Sequence, residues 1–207
     1  MPPRIHTEPP LAAGTTVALP PGASRHVQVL RLQPGAELTL FDGQANERMD
    51  TVVEKATELG AAAVQPLVCE RSVLRLAGER AERKAAHWQG VAVAACEQSG
   101  RNRVPLIHQP QPLGTWLAAL PPTQAGELRL VLSLAEGTRP LRSLLAASPP
   151  VTSLCVLSGP EGGLSPAELA AAAAAGFQPT TLGPRVLRAD TAPLAVLASV
   201  ATLETPA

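Results

Sequence analysis

The spacing of apolar residues along the chain changes near position 47. Before that point, short apolar stretches at residues 15–19, 23–30 and 37–41 are separated by turn residues, a pattern typical of β-strands. From position 47 onward, apolar residues recur at intervals of three and four, and Gly60 stands where such a helix would end. The pattern therefore predicts a β-rich N-terminal part, followed by a helix that opens a second part.

Beyond Gly60, strand and helix patterns alternate. We predict helices at residues 79–98, 113–120, 141–147, 165–176 and 191–203, and strands at 64–68, 105–108, 128–134, 151–157 and 180–182. Two of these strands, 128–134 and 151–157, are apolar enough to be buried on both faces, which is typical of parallel sheets. The sequence thus predicts an α/β fold with a mainly parallel sheet.

The N-terminal part is too short to form a β-domain alone. Its strand at 37–41 ends in Asp42-Gly43, a pair typical of hairpin turns. A helical pattern follows within a few residues, so no partner strand for a hairpin is available. We therefore expect the N-terminal domain to be incomplete in this sequence.

The overall charge does not indicate a nucleic-acid-binding protein, because 17 basic residues balance 17 acidic ones. Locally the picture differs, since basic residues, mostly arginines, accumulate between positions 71 and 103. A solvent-exposed helix face accounts for this excess as well as RNA binding does. With 2 Trp, 2 Phe and no Tyr, aromatic stacking of bases is not indicated, so any RNA contact would depend on arginine and on shape.

The cysteines do not predict a disulfide or a metal site. Cys69, Cys96 and Cys155 are widely spaced in apolar or mixed surroundings, which is typical of reduced structural thiols. We expect no bound metal. No apolar run reaches the roughly 18 residues of a membrane helix, and the N-terminus lacks a signal-peptide pattern. These features favour a soluble, cytoplasmic protein.

Two loops with a Gly-Pro pair follow neighbouring predicted strands. They are LSGPEGG at residues 157–163 and LGPRVLR at residues 182–188. In a parallel sheet, ligands bind beyond the carboxyl ends of the strands, where glycine lets the backbone approach them closely. One Gly-Pro pair is usually only a turn, but two on neighbouring strands favour a ligand site. Neither loop has the glycine pattern of a dinucleotide-binding loop or a phosphate loop.

Three charged residues in or after these loops are candidates for chemistry. Glu161 either contacts a ligand or has a structural role, as a helix cap or the partner of an arginine. Asp190 precedes the last predicted helix and fits its N-cap. Arg188 has no such local role, and we expect it to point toward the same sheet edge as Glu161.

The order and spacing of these motifs resemble the bacterial SPOUT-superfamily methyltransferases that modify N3 of uridine in small-subunit ribosomal RNA. The loop at 157–163 and its counterpart, extended as LGPRVLRADTA at 182–192, carry the resemblance. Further similar segments are PRI at 3–5, HVQVLR at 26–31, RMD at 48–50, KATELG at 55–60, ERS at 70–72 and CEQSGRNRVP at 96–105. Asp190 stands where that family usually has Glu.

The resemblance implies a partial PUA-like β-barrel at residues 1–46, which binds RNA, and a SPOUT methyltransferase domain with a deep trefoil knot at 47–207. It also implies S-adenosylmethionine as cofactor, 16S ribosomal RNA of the small subunit as substrate, and an obligate homodimer. The implied cofactor-binding residues are Leu132, Ser133, Leu134, Ser158, Gly159, Pro160, Glu161, Gly162, Leu182, Gly183, Val186 and Leu187. The implied RNA-binding residues are Arg4, Arg31, Arg71, Arg101, Asn102 and Arg103, and the candidates for catalysis are Arg188, Glu161 and Asp190.

Other functions stay open at this point. Another SPOUT enzyme, methylating a ribose 2′-oxygen or guanine N1, would share the loops, although the run EQSGRNR at 97–103 favours the uracil-N3 group. A non-catalytic RNA-binding factor for ribosome assembly would keep the same fold. Without the resemblance, the residues indicate only an α/β nucleotide-binding protein.

Overall fold

The computed structural model describes residues 4–6, 39–41, 45–72, 76–135, 137–147 and 150–202. The chain divides into two compact units, Met1–Arg48 and Met49–Ala207. In the first unit, β1 (Arg4–His6) pairs in parallel with β2 (Thr39–Phe41). The described partner of β2 is thus a parallel strand, not the second strand of a hairpin. The strands predicted at 15–19 and 23–30 lie outside the described residues.

The remaining elements follow the predicted alternation, with two additional short strands, Gln111–Pro112 and Arg139–Pro140, that the sequence pattern did not predict. The helices are α1 (Ala45–Glu58), α2 (Gly78–Ser99), α3 (Leu113–Ala119), α4 (Leu141–Ala147), α5 (Pro166–Ala174) and α6 (Thr191–Ala201). The strands are β3 (Ala63–Val64), β4 (Leu67–Val68), β5 (Leu106–Ile107), β6 (Gln111–Pro112), β7 (Glu127–Leu132), β8 (Arg139–Pro140), β9 (Ser153–Leu157) and β10 (Gln178–Thr181).

One predicted strand, at 64–68, is interrupted. It forms β3 and β4, which pair in parallel with β5 and β6 respectively. Pro66 stands between the two halves, and a proline has no N–H with which to continue a strand ladder. Its carbonyl oxygen is still used, because it accepts a hydrogen bond from the Gln111 backbone N–H at 3.2 Å. The expectation of one continuous strand was wrong for this reason.

The helix α1 packs against α2 through its apolar face. Val53 lies in a buried cluster with Trp88, Ala92 and Ile107. Asp50 adds a polar contact, because its Oδ1 accepts a hydrogen bond from the Trp88 indole Nε1 at 2.8 Å. The helix ends as predicted before Gly60, whose φ of +94° is easily adopted only by glycine.

The mainly parallel sheet is confirmed. Its four strands lie in the order β8-β10-β7-β9, and all three neighbouring pairs are parallel. Leu128 and Leu130 of β7 pack on one face in a cluster with residues of α4 and α6. Val131 packs on the other face in a cluster with residues of α3 and α5. Helices therefore cover both faces, as the apolar strand pattern predicted.

A charged residue, Arg129, is buried in the middle of β7, with 3% of its side chain exposed. Its guanidinium forms a salt bridge to Glu127 at 2.7 Å. It also donates hydrogen bonds to the carbonyl oxygens of Ala175 and Pro121, at 2.9 and 2.8 Å. All of these partners offset the cost of burying the charge. The residue thus links the sheet to the end of α5.

Among the described residues, no helix is long and apolar enough to cross a membrane.

Candidate functional site

A cleft of about 330 Å³ opens where the parallel strands β7, β9 and β10 end. This is the sheet edge at which ligands of open α/β folds bind, and the volume is near the lower end of the range for small-molecule sites, about 300–1,000 Å³. The lining residues at the end of β7 and after it are Leu132, Ser133, Leu134 and Ala135. Those after β9 are Ser158, Gly159, Pro160, Glu161, Gly163, Leu164 and Leu169. Those at the end of β10 and after it are Thr180, Thr181, Leu182, Arg185, Val186, Leu187, Ala189 and Ala192.

The structure brings most of the predicted cofactor-binding residues together around this cleft. Gly162 and Gly183 are the exceptions, since neither lines it. The lining also includes residues that the sequence did not single out, among them Arg185 and the strand-end pair Thr180 and Thr181. Ligands bind at the carboxyl ends of parallel strands. Applying this rule to the last residues of β10, and not only to the loop after them, would have identified both threonines.

The first Gly-Pro loop, residues 158–163, is stabilised by a hydrogen bond within it and by close packing against Leu164. The N–H of Gly163 donates to the carbonyl oxygen of Pro160 at 2.8 Å. A Cβ atom added at Gly159 would lie 3.0 Å from the Leu164 Cγ and 3.1 Å from the Leu164 nitrogen. A side chain at position 159 would therefore crowd Leu164, so glycine lets the loop pack closely against the residue that follows it.

A capping box opens α5. The Ser165 hydroxyl accepts a hydrogen bond from the Glu168 N–H, and the Glu168 carboxylate accepts one from the Ser165 N–H. Glu168 has a second role, because its Oε1 accepts a hydrogen bond from the Glu70 N–H at 2.8 Å. The cap therefore connects the end of the first loop to the turn at residues 69–72.

The second Gly-Pro loop, residues 182–190, has fewer such contacts. The Thr181 hydroxyl donates to the carbonyl oxygen of Gly183 at 3.1 Å, and the Ser158 hydroxyl donates to that of Ala189 at 3.3 Å. Val186 lines the cleft with 78% of the residue exposed. Ser158 thus links the two loops.

The candidates for catalysis are placed differently from one another. Glu161 lines the cleft and is exposed. Among the described residues, Arg188 and Asp190 do not belong to the cleft lining; Arg188 is exposed and Asp190 is half-buried. One of the three candidates therefore lies at the cleft, and the other two lie on the segment that leads into α6.

Asp190 stands at the N-cap of α6, as predicted, but its side chain makes no capping hydrogen bond. A capping side chain accepts from the N–H of the second or third helical residue. Here the N–H of Ala192 already donates to the Arg188 carbonyl oxygen at 3.0 Å, and the third residue is Pro193, which has no N–H. The Asp190 carboxylate instead accepts a hydrogen bond from the Thr191 hydroxyl.

Two of the predicted RNA-binding arginines contact the protein's own backbone. Arg101 donates to the carbonyl oxygens of Thr57 and Gly60 at the end of α1, at 2.8 and 3.0 Å. Arg71 donates to the carbonyl oxygen of Gly162 at 2.8 Å. Asn102 and Arg103 are exposed after α2, Arg4 lies in β1, and Arg31 is outside the described residues.

The cysteines are free, as predicted. Burial raises the pKa of the Cys69 thiol to about 11, and it raises that of Cys155 to about 11 as well. Both are therefore protonated at neutral pH and poorly suited to nucleophilic attack. Among the described residues, no group of three or more His, Cys, Asp or Glu side chains is arranged to hold a metal ion.

The fold and the cleft define a class of protein: an α/β protein with a ligand site beyond the carboxyl ends of a parallel sheet. Residues 35–201 match the family model of the RNA methyltransferase domain, and the chain belongs to this family. The family membership expected from the ordered set of motifs along the chain is thereby confirmed.

Curated relatives named Ribosomal RNA small subunit methyltransferase E include the protein of Synechocystis, 35% identical over 154 residues, and that of Bacillus subtilis, 33% identical over 155 residues. Both matches cover 74% of this chain, but 49% and 60% of the two relatives. The chain therefore spans about half to three fifths of the length of these relatives.

Solved structures extend the comparison. The Ribosomal RNA small subunit methyltransferase E of Neisseria gonorrhoeae, bound to S-adenosylmethionine, is 33% identical with a TM-score of 0.67. A Legionella pneumophila protein in complex with the same cofactor is 29% identical with a TM-score of 0.66. Each match covers 98% of both chains.

Proposed function

We propose that this protein transfers a methyl group from S-adenosylmethionine to N3 of a uridine in 16S ribosomal RNA of the small subunit. The observation that carries the proposal is the cleft, because it collects residues of both Gly-Pro loops at the ends of three parallel strands. The names of the relatives, and the cofactor bound in the two structural neighbours, support this substrate and this cofactor.

The residues of the cleft fit the cofactor chemically. Leucines from all three strand ends supply apolar surface for the adenine ring. Among the described residues that line the cleft, two carry ionisable side chains, Glu161 and Arg185. S-adenosylmethionine carries both positive groups and a carboxylate, so a carboxylate and a guanidinium at one cleft match its charges.

When bound, S-adenosylmethionine supplies a methyl group that needs no further activation. The chain must hold uracil N3 in line and accept its proton, because N3 is a competent nucleophile only as the N–H bond breaks. We assign the proton acceptor to Glu161, which lines the cleft, with Asp190 as the second candidate. We assign to Arg188 the stabilisation of negative charge on the uracil carbonyl oxygens.

The RNA must present the target base unpaired or flipped out, because base pairing buries N3. We propose Asn102 and Arg103, both exposed, as RNA contacts in the second unit, and Arg4 and Arg31 in the first. We further propose that residues 1–46 form part of a PUA-like RNA-binding barrel, and that residues 47–207 form a SPOUT domain with a trefoil knot that acts as a homodimer in the cytoplasm. The family resemblance supports these last points.

Mass spectrometry of nucleosides from 16S ribosomal RNA, in cells with and without the protein, tests the proposal. We expect one N3-methyluridine to disappear in its absence and to return with the purified protein and S-adenosylmethionine. Loss of a 2′-O-methyl nucleoside or of N1-methylguanine would instead support another reaction of the same superfamily. Unchanged RNA, together with no calorimetric binding of S-adenosylmethionine, would support a non-catalytic assembly factor.

A further inference from the structure

We propose that Arg71 is a positioning residue, which holds the first Gly-Pro loop in the shape that receives the cofactor. The inference rests on the proposed function, because it assumes that the cofactor binds in the cleft. It assigns to Arg71 a role different from the RNA contact that the sequence motif implies.

The contact between Arg71 and the loop has two parts. The guanidinium Nη1 donates a hydrogen bond to the carbonyl oxygen of Gly162 at 2.8 Å. The aliphatic part of the side chain packs over Gly162, since a Cβ atom added there would lie 3.2 Å from the Arg71 Cβ and 3.5 Å from its Cδ. Glycine at 162 therefore makes room for Arg71, which explains why it is part of the motif although it does not line the cleft.

The turn that carries Arg71 is itself stabilised by hydrogen bonds. The Ser72 hydroxyl accepts a hydrogen bond from the Cys69 N–H at 2.9 Å, and the Ser72 N–H donates to the Cys69 carbonyl oxygen at 3.1 Å. Next to Arg71, the N–H of Glu70 donates to the Glu168 carboxylate, whose other oxygen caps α5. One turn is thus bonded both to the loop and to the helix that follows it.

Such bonding matters because of the composition of the loop. The residues on either side of Gly162, Glu161 and Gly163, line the cleft, and two consecutive glycines leave this backbone many accessible conformations. Ordering those residues only when a ligand binds would cost affinity. A contact that orders them beforehand should increase affinity for the cofactor, and it should not change the rate of methyl transfer once the cofactor is bound.

The test compares Arg71→Met with Arg71→Lys. Methionine keeps the packing over Gly162 but has no donor, whereas lysine keeps a charged donor. For Arg71→Met we expect the Kd for S-adenosylmethionine to rise about tenfold or more, as for the loss of a hydrogen bond from a charged donor. The kcat at saturating cofactor should stay within about twofold of wild type, and Arg71→Lys should recover most of the affinity. Arg80→Met, at an exposed position of α2, is the matched control and should leave the Kd unchanged.

Hydrogen exchange in the cofactor-free protein is a second test, and it does not depend on the proposed function. Backbone amides of residues 161–164 should exchange faster in Arg71→Met than in wild type or in Arg80→Met. Unchanged exchange and unchanged cofactor Kd would overturn the inference. Weaker RNA binding, with a salt dependence reduced by about one phosphate contact, would then identify Arg71 as an RNA contact. If the wild-type protein does not bind S-adenosylmethionine, the proposed function fails, and the exchange rates still decide whether Arg71 positions the loop.

Discussion

The two Gly-Pro loops share a motif, yet the chain supports them differently. They follow β9 and β10, which lie on either side of β7 and are therefore not neighbours in the sheet, although the sequence predicted neighbouring strands. The first is held by Arg71 at Gly162, by the packing of Leu164 against Gly159, and by the capped start of α5. The second is held mainly at its two ends, by Thr181 and by Ser158, while its middle is exposed, with Val186 at 78%. The first loop is therefore largely preformed, and the second presents side chains to whatever binds beside the cleft.

This difference suggests a division of roles. A preformed loop suits the cofactor, because a site that is ordered in advance binds a small molecule with less loss of entropy. An exposed loop that leads to Arg188 suits a larger partner, such as the RNA of the proposed function. Apart from Glu161, to which the proton transfer is assigned, substitutions in the first loop should therefore change cofactor affinity, and those around Arg188 should change turnover.

The largest effect is expected from Gly159→Val in the first loop. Its Cβ would meet Leu164 side-chain and backbone atoms at 3.0 and 3.1 Å, so the loop or Leu164 must shift. We expect affinity for S-adenosylmethionine to fall more than about a hundredfold and stability to fall by about 1–3 kcal/mol, as for overpacking elsewhere. Calorimetry and urea unfolding measure these two quantities. Gly114→Val in α3, where an added Cβ meets no atom within 4 Å, is the control; equal affinities in the two variants would contradict the prediction.

Arg188→Ala tests the role assigned to the second loop. We expect kcat to fall about a hundredfold, the effect of losing one donor to a developing negative charge, while the Kd for the cofactor stays within about twofold. Single-turnover methyl transfer to 16S ribosomal RNA, with cofactor binding measured separately, gives both values. Full turnover in the variant would remove Arg188 from the chemistry. A large loss of cofactor affinity would instead show that the two loops do not have separate roles.

A smaller effect is expected from Gly183→Ala in the second loop. An added Cβ meets no atom within 4 Å there, so the cost comes only from the backbone, whose φ is +119°. Such strain costs about 1–3 kcal/mol, part of which the exposed loop can relieve by moving. We expect cofactor affinity to fall about fivefold to tenfold, by calorimetry. Gly60→Ala, with a φ of +94° and equally open surroundings, should lower stability without changing affinity. If Gly183→Ala lowers cofactor affinity as much as Gly159→Val does, the second loop does not accommodate a substitution more easily than the first.

Local signals, strand direction and the family resemblance together account for what was predicted of this site. The capping box at Ser165 was predictable because its two partners are three residues apart. Leu132 and Ser158, which the family resemblance assigned to the cofactor site, line one cleft because parallel strands place their carboxyl ends at the same edge. In these cases the physical cause lies within one helical turn or follows from the strand direction.

What the sequence did not predict depends on contacts between distant residues. The partner of Arg71, Gly162, is 91 residues away in the chain, so an arginine that supports a loop resembles one that binds RNA. Likewise, Arg129 is surrounded in sequence by leucines, and its burial depends on carbonyl oxygens of Pro121 and Ala175 that only the fold brings to it. The missing cap at Asp190 was partly predictable, because Pro193 removes one of the N–H groups that a cap requires.

The smallest effect is expected from the salt bridge between Glu127 and Arg129. The helix α5, which follows the first loop, is tied at its end by the Arg129 hydrogen bond to Ala175, and Arg129 is paired with Glu127. The Arg129 guanidinium, through its hydrogen bond, holds the pKa of the Glu127 carboxyl below its usual value. The folded protein therefore takes up this proton at lower pH than the unfolded chain does. The resulting stabilisation is complete above the unfolded pKa, about 4.3, and it is lost as the pH falls through the folded value.

Urea unfolding of the wild type and of Glu127→Gln, at pH 7 and at pH 3, measures this contribution. At pH 7 the variant should be the less stable, because Arg129 stays buried without its charged partner. The difference should be smaller at pH 3, because the stabilisation by the wild-type carboxylate decreases once the pH is below the pKa of the unfolded chain. A difference that stays constant between the two pH values would mean that the charge of Glu127 does not contribute. In that case the hydrogen bonds of Arg129 to Pro121 and Ala175 alone would hold the end of α5, and the first loop would owe its support to Arg71 and the capping box.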